Sequence, residues 1–309
     1  MANWVLTIIV VIGVGFMLYR QHKLDRADTA AKRPEKAQRN PNDTRDWPAI
    51  VAKATELAGA QQKPCIALDI LEGTVGADAH SSIGGRPSLP KDAQWPVDET
   101  GKPMVFLAQL NFADLPKLEG YPQTGVLSFF VKDEDLQGCK FPSLGDQGFN
   151  IFYYPDPDAL ARHPLPDQPA EYVPMSLILA TEGRPLQGRA ALAPLTNNCM
   201  EVTEMTKGWY PDCPRDLWDT FGDDLLNAKP SQVYVGGHPD FIQYDVRRAG
   251  ATPDYTAYTE VLLQMGFVHS KTSEIEICWG DAGEACFLIT KDDLAARRFD
   301  RVLYNWDCG

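Results

Sequence analysis

The sequence predicts an α+β fold, β-rich, with one globular domain that carries an internal duplication and is preceded by a single N-terminal transmembrane helix. Three observations predict it. Past residue 60 the chain breaks into short apolar runs bounded by Gly and Pro, several blocks recur in the same order, and the first 19 residues carry no charge.

The N-terminal run WVLTIIVVIGVGFMLY, residues 4–19, is continuously apolar and with Met1–Asn3 just reaches the length a helix needs to span a bilayer. MAN supplies no basic start and MLYRQHK no small-x-small exit, so residues 1–19 are read as a retained anchor rather than a cleaved signal. Residues 20–45 are polar and lack aromatics, the composition of a disordered basic linker able to lie on anionic head groups. Between Arg20 and Arg39 seven Lys/Arg face three acids, and the positive-inside tendency places the globular part in the cytoplasm. Seven dispersed cysteines, an odd number, suit a reducing compartment.

Charge is unevenly shared. The formal net charge is −13, and removing the +4 of residues 20–39 (seven bases minus three acids) leaves −17 for residues 40–309. Such a domain should not bind nucleic acid. The bland reading of the imbalance is solubility; the sharper one is an unidentified, basic protein partner.

The globular domain is assigned to residues 46–309. DWPAIVAKATELAGA has Asp46 and Pro48 at its start, apolar residues at helical spacing and Gly59 near its end, so it predicts a helix anchored by Trp47. CIALDIL, MVFLAQLNF, GVLSFFV, FNIFYY, SLILA, QVYVGG, YTEVLLQMGF, EIEICW and ACFLIT then read as strands between turn formers. A late helix opens at Thr290, where Thr290 and Asp293 have capping-box spacing and Arg297 and Arg298 fall in the expected last turn.

The duplication rests on ordered blocks. GVLSFFVKDEDL (125–136) aligns without a gap on GEACFLITKDDL (283–294), IGGRPSLP (83–90) on VGGHPDFI (235–242), and FLAQLNF (106–112) on VLLQMGF (261–267). Gly85 to Gln109 is 24 positions against 27 from Gly237 to Gln264, and Gln109 to Gly125 is 16 against 19 from Gln264 to Gly283. Agreement within a short loop implies repeat units at about 80–138 and 233–299. Gly-Gly-x-Pro allows positive φ and close backbone approach. Gln109 and Gln264, amides inside apolar strands, must staple neighbouring segments or hold a ligand, and stapling is the commoner use.

The blocks GGRPSLPKDAQWP, MVFLAQLNFADLP, GVLSFFVKDED, VGGHPDFIQ, LLQMGF, ICWGDAGEACFLITKDDL and FDRVLYNWDC together resemble the YwqG-like bacterial proteins, over residue 80 to Cys308. The resemblance implies a single α+β domain with a large antiparallel sheet system and an internal repeat. It assigns no biochemical activity. Some relatives are neighbours of secreted-toxin gene clusters, which implies a protective or immunity-like, partner-binding role at a bacterial inner membrane. The chain departs from the usual member in its membrane span and in an insert from about 139 to 232.

Candidate binding residues are Arg86, Gln109, His238, Gln264, Trp279 and Asp281. Asp281, in CWGDAG beside Trp279, reads as a general base, a ligand, or an ordinary turn carboxylate. His238 holds the place of Arg86 in the other copy, and facing repeats would put both in one pocket. Trp95, Trp279 and Trp306 read as core. No zinc-ligand spacing, nucleophile elbow or phosphate loop is present, so no metal, cofactor or catalytic residue is assigned. The expected function is a non-catalytic protein-binding module; the alternative is an enzyme of unassigned class with a pocket at the repeat junction.

Overall fold

The computed structural model describes residues 40–309 apart from 77–79, 146–147, 249 and 271–273. The anchor predicted over 1–19 and nearly all of the linker lie outside the described residues. Among the described residues no helix is long and apolar enough to cross a membrane.

The chain forms two compact units. In the smaller, whose described residues are 40–46 and Gly208–Pro214, the Arg45 guanidinium pairs with Asp43 and Asp212 and donates to the Gly208 carbonyl. The larger holds the sheet and the core. As the Gly/Pro-punctuated runs predict, the fold is mostly β with few helices, 17% helical and 30% strand, around a sheet curled as a half-barrel.

Two long strands, β1 (Lys63–Ile70) and β9 (Arg184–Ala193), pair antiparallel at the centre, from Lys63 opposite Ala193 to Ile70 opposite Leu186. Beyond β9 lie β2 (Ser82–Ile83), β4 (Val105–Asn111), β5 (Val126–Val131) and β7 (Phe149–Tyr154). Beyond β1 lie β10 (Val233–Gly236), β11 (Glu260–Met265), β14 (Glu284–Ile289), β15 (Leu303–Asp307) and, at the edge, β6 (Ser143–Leu144). β1 thus borders the later strands and β9 the earlier ones, an exchange that ties the two sides into one eleven-stranded sheet. Two small ribbons stand apart, β3 (Ser88–Pro90) with β8 (Leu160–Arg162) and β12 (Val268–His269) with β13 (Glu276–Ile277).

Every position of β4, β5, β11 and β14 is buried, which is why these strands read as unbroken apolar runs rather than alternating ones. Their inner side chains meet in one core, where Phe287 stacks on Tyr304 at 4.6 Å between centroids and Phe129 and Phe149 close on Phe287. On the other face of β14 and β15, Cys286, Leu288 and Leu303 pack under Phe241, Val246 and Tyr255.

α1 (Trp47–Ala60) forms as predicted and buries Trp47, Val51, Ala54 and Ala58, whereas Ile50 and Leu57, apolar residues of the same pattern, stay half-buried and exposed. SLILA is not a strand but the helix α2 (Leu177–Thr181), begun at Ser176. A five-residue apolar run cannot be assigned by periodicity alone, and here packing decides, with Leu179 fully buried against the Gly84 turn. EIEICW contributes only the two residues of β13. α3 (Met200–Met205) and α4 (Arg215–Asn227) lie in the insert and were not expected from the sequence. α5 (Lys291–Ala295) opens as predicted, the Thr290 hydroxyl accepting the Asp293 N–H. Arg297 and Arg298 fall past its end rather than in its last turn, and Arg298 pairs with Asp293 at 2.5 Å.

Candidate functional site

The two Gly-Gly-x-Pro turns and the two glutamines build the same local structure twice. Gly84 and Gly85 take φ of +61° and +68°, Gly236 and Gly237 +74° and +71°. A Cβ on Gly84 would stand 2.0 Å from the Leu179 carbonyl oxygen, so the close approach requires glycine. Each turn delivers the next segment to a buried amide. Gln109 Oε1 accepts from Ser88 N–H (2.9 Å), while its Nε2 donates to the Ser88 carbonyl (2.7 Å) and Ser128 Oγ (2.6 Å). Gln264 Oε1 accepts from Asp240 N–H (3.2 Å), and its Nε2 donates to the Asp240 carbonyl (3.2 Å) and Glu284 Oε2 (3.1 Å). A register shift precedes each glutamine, between Phe106 and Ala108 and between Val261 and Leu263. Both amides are used as staples and both are fully buried.

The two staples differ in charge. Around Gln109 the partners are neutral hydroxyl and backbone groups. Around Gln264 they include a buried ion cluster in which Lys229 Nζ binds the Asp240 carboxylate and Glu284 Oε1 (2.9 Å), with all three side chains at most 7% exposed. Burial opposes the Lys229 cation, but the Asp240 and Glu284 charges outweigh it and its pKa is raised. Glu284 is pushed up to about 7, first by burial and then by Asp240, with Lys229 pulling the other way. The directions agree on one picture, a lysine held charged beside a Glu284 carboxyl that burial and the neighbouring Asp240 hold toward its protonated form. The neutral staple folds without such charges, so backbone geometry does not demand them.

The remaining sequence candidates do not join this cluster. Arg86 is exposed and its Nε donates to the His163 carbonyl (3.1 Å). His238 is half-buried, its Nε2 lies 3.0 Å from the Gln61 carbonyl oxygen, and burial lowers its pKa. Trp279 is fully buried against Tyr304 and Trp306, at the start of a turn that bridges to Gly283. Asp281 sits exposed in that turn, its carbonyl within 3.5 Å of the Gly309 N–H. Gln109 and Gln264 are separated in the sheet by β2, β9, β1 and β10. Among the described residues no group of three His, Cys, Asp or Glu side chains is arranged to hold a metal ion.

Two surface recesses carry other residues. One, of about 520 Å³, is polar, with His80, Asn111, Asp114 and Asp158. The other, of about 200 Å³, lies where β15 ends and is walled by Phe141, Tyr244 and Trp306 over Asn305 and Asp307. None of the six sequence candidates lines either recess. Sequence reasoning also missed Lys229, Asp240 and Glu284. The available signal was the copy-to-copy contrast of Ser88 with Asp240 and of Val126 with Glu284, an apolar or hydroxyl residue exchanged for an acid at an aligned buried position.

No curated protein matches the chain. A family model described as Domain of unknown function (DUF1963) matches residues 81–308, a stretch that contains both glycine turns, both glutamine staples and the β15 recess. That match spans well over half of the sequence, and the chain belongs to the DUF1963 family.

Proposed function

We propose that the chain is a YwqG-like, internally duplicated, non-catalytic module that binds a basic protein partner in a protective, immunity-like role. Residues 1–19 hold it to a bacterial inner membrane with the globular part in the cytoplasm. The duplication is supported by the two matching staples and the two preceding register shifts.

One observation carries the binding reading. On α4, Phe221 and Leu225 are buried with Trp218 half-buried beside them, while Asp216, Asp219, Asp223 and Asp224 are exposed on the other side. Carboxylates at i, i+3 and i+7 share a face and repel one another. Arg215 reaches Asp219 at 3.3 Å, and both are more than half exposed, so this pair offsets little. A cationic surface relieves the repulsion, and it does so more strongly at low ionic strength.

Affinity capture of the full-length protein at low and high salt, read by mass spectrometry, tests this. A basic, near-stoichiometric protein should co-purify at low salt, be lost at high salt, and fall about tenfold in yield with Asp216→Lys, Asp219→Lys and Asp223→Lys combined. Recovery unchanged by salt and by charge reversal would sink the reading. The topology is tested by C-terminal reporter fusions, with fluorescent-protein signal and no alkaline phosphatase activity expected; the reverse pattern removes the cytoplasmic placement. Glu284, with a pKa near neutrality, is a group that would favour an enzyme. It is enclosed with Lys229 and lines neither recess, so it is treated as a determinant of stability.

A further inference from the structure

We propose that the recess at the end of β15 receives the guanidinium of an arginine presented by the partner protein. This rests on the partner-binding reading above and names the contact that would give it specificity.

The walls suit a flat cation. Phe141 and Tyr244 are aromatic rings left 45% and 44% exposed, and Phe141 packs edge-on against Trp306 with centroids 5.5 Å apart. Tyr244 already carries one guanidinium of this chain, with Arg248 Cζ 4.1 Å from the ring centroid, so the rim shows the affinity it would use for a second.

The floor supplies acceptors that the fold leaves open. Strand alternation places Leu303, Asn305 and Asp307 on one face of β15, and β6 covers this strand only at Leu303 and Tyr304. Asn305 is 3% exposed, lines the recess, and its side-chain amide makes no hydrogen bond to another described residue. Asp307 accepts the N–H groups of Ile242 (3.3 Å) and Gln243 (2.7 Å), yet no cationic side chain pairs with it among the described residues. Burial, its largest influence, holds the Asp307 pKa above the usual carboxylate range, and a cation in the recess would bring it back.

Arginine fits this set better than lysine. A planar fork can stack on the rim while donating to Asp307 and to Asn305 Oδ1, whereas an ammonium is a compact, strongly hydrated charge that gains little from the aromatic walls. An anionic ligand would meet Asp307 and the acidic field of the domain.

The test is calorimetric titration of the full-length protein at low salt with acetyl-Gly-Arg-Gly-amide and its lysine and citrulline counterparts. One-site saturable binding of the arginine peptide is expected, at least tenfold weaker binding of the lysine peptide, and none of the neutral, isosteric citrulline peptide. Phe141→Ala and Tyr244→Ala, at exposed positions that leave the core intact, should each weaken it at least fivefold, and Asp307→Asn at least tenfold. Equal binding of arginine and citrulline, or variants indistinguishable from wild type, would overturn the proposal. Partner capture repeated with Tyr244→Ala separates the two readings. Undiminished capture without peptide binding removes the recess and leaves the partner, while peptide binding without any captured protein removes the partner and leaves the recess.

Discussion

Gln109 is a side chain whose chemistry and position disagree until its partners are known. An uncharged amide in the middle of VFLAQLN is fully buried, and it survives there because three polar groups of Ser88 and Ser128 close on it. Gln109→Leu keeps the volume and removes the partners, leaving the Ser88 N–H and carbonyl and the Ser128 hydroxyl to find others. At about 1–3 kcal/mol per buried group left unsatisfied, partly relaxed, the expected loss is about 3 kcal/mol, read from the shift of the urea midpoint at constant slope. A loss below about 1 kcal/mol would show that the staple is ornamental. This role was legible in the sequence because a glutamine repeated in two apolar strands must find hydrogen-bond partners in both places, and neighbouring segments are the nearest source. The charged partners of Gln264 were not, because Lys229, Asp240 and Glu284 come from a loop, a turn and a strand whose convergence is a tertiary fact.

Among elements, legibility followed side-chain composition. β4, β5, β11 and β14 announce themselves through β-branched and aromatic residues. β9, which completes the centre of the sheet, is RPLQGRAALA and contains neither type. It is a strand because β1 offers eight consecutive partners, and Gly188 admits Leu115 and Ile66, whose side chains would crowd a Cβ to 2.6 and 3.0 Å. Context overrides propensity there, as it does in the opposite sense at α2, where SLILA has strand-like texture but caps the Gly84 turn as a helix. α4 was missed for a third reason. Its apolar residues Trp218, Phe221 and Leu225 are spaced for a helix, but four aspartates and a central Gly222 dilute the pattern. The β15 recess has no sequence signature beyond the closing YNWDC, since Phe141 and Tyr244 come from loops more than a hundred residues apart.

At the scale of the molecule, the excess of acid makes stability depend on where carboxyl protons sit. Glu284 carries the largest lever in the neutral range, with a folded pKa near 7 against a usual value of 4.5. Between those values the folded chain holds a proton that the unfolded chain has released, so stability falls as pH rises from about 4.5 to about 7 and levels off above. The shift corresponds to at most about 3 kcal/mol. Lys229 works outside this window. Its raised pKa keeps it charged throughout, and its contribution is lost only as pH passes above the ordinary lysine value. His238, lowered by burial, pulls the other way: stability rises with pH as the unfolded imidazole stops gaining a proton the folded one refuses. The informative quantity is therefore the difference between wild type and Glu284→Gln, which keeps the shape and one of the two acceptor oxygens but cannot ionise. Urea unfolding from about pH 5 to about pH 8 should show wild type losing stability relative to the variant across the window, by one to three kcal/mol in order of magnitude. Parallel curves would mean that Glu284 stays ionised beside Lys229, with the cluster a simple set of ion pairs.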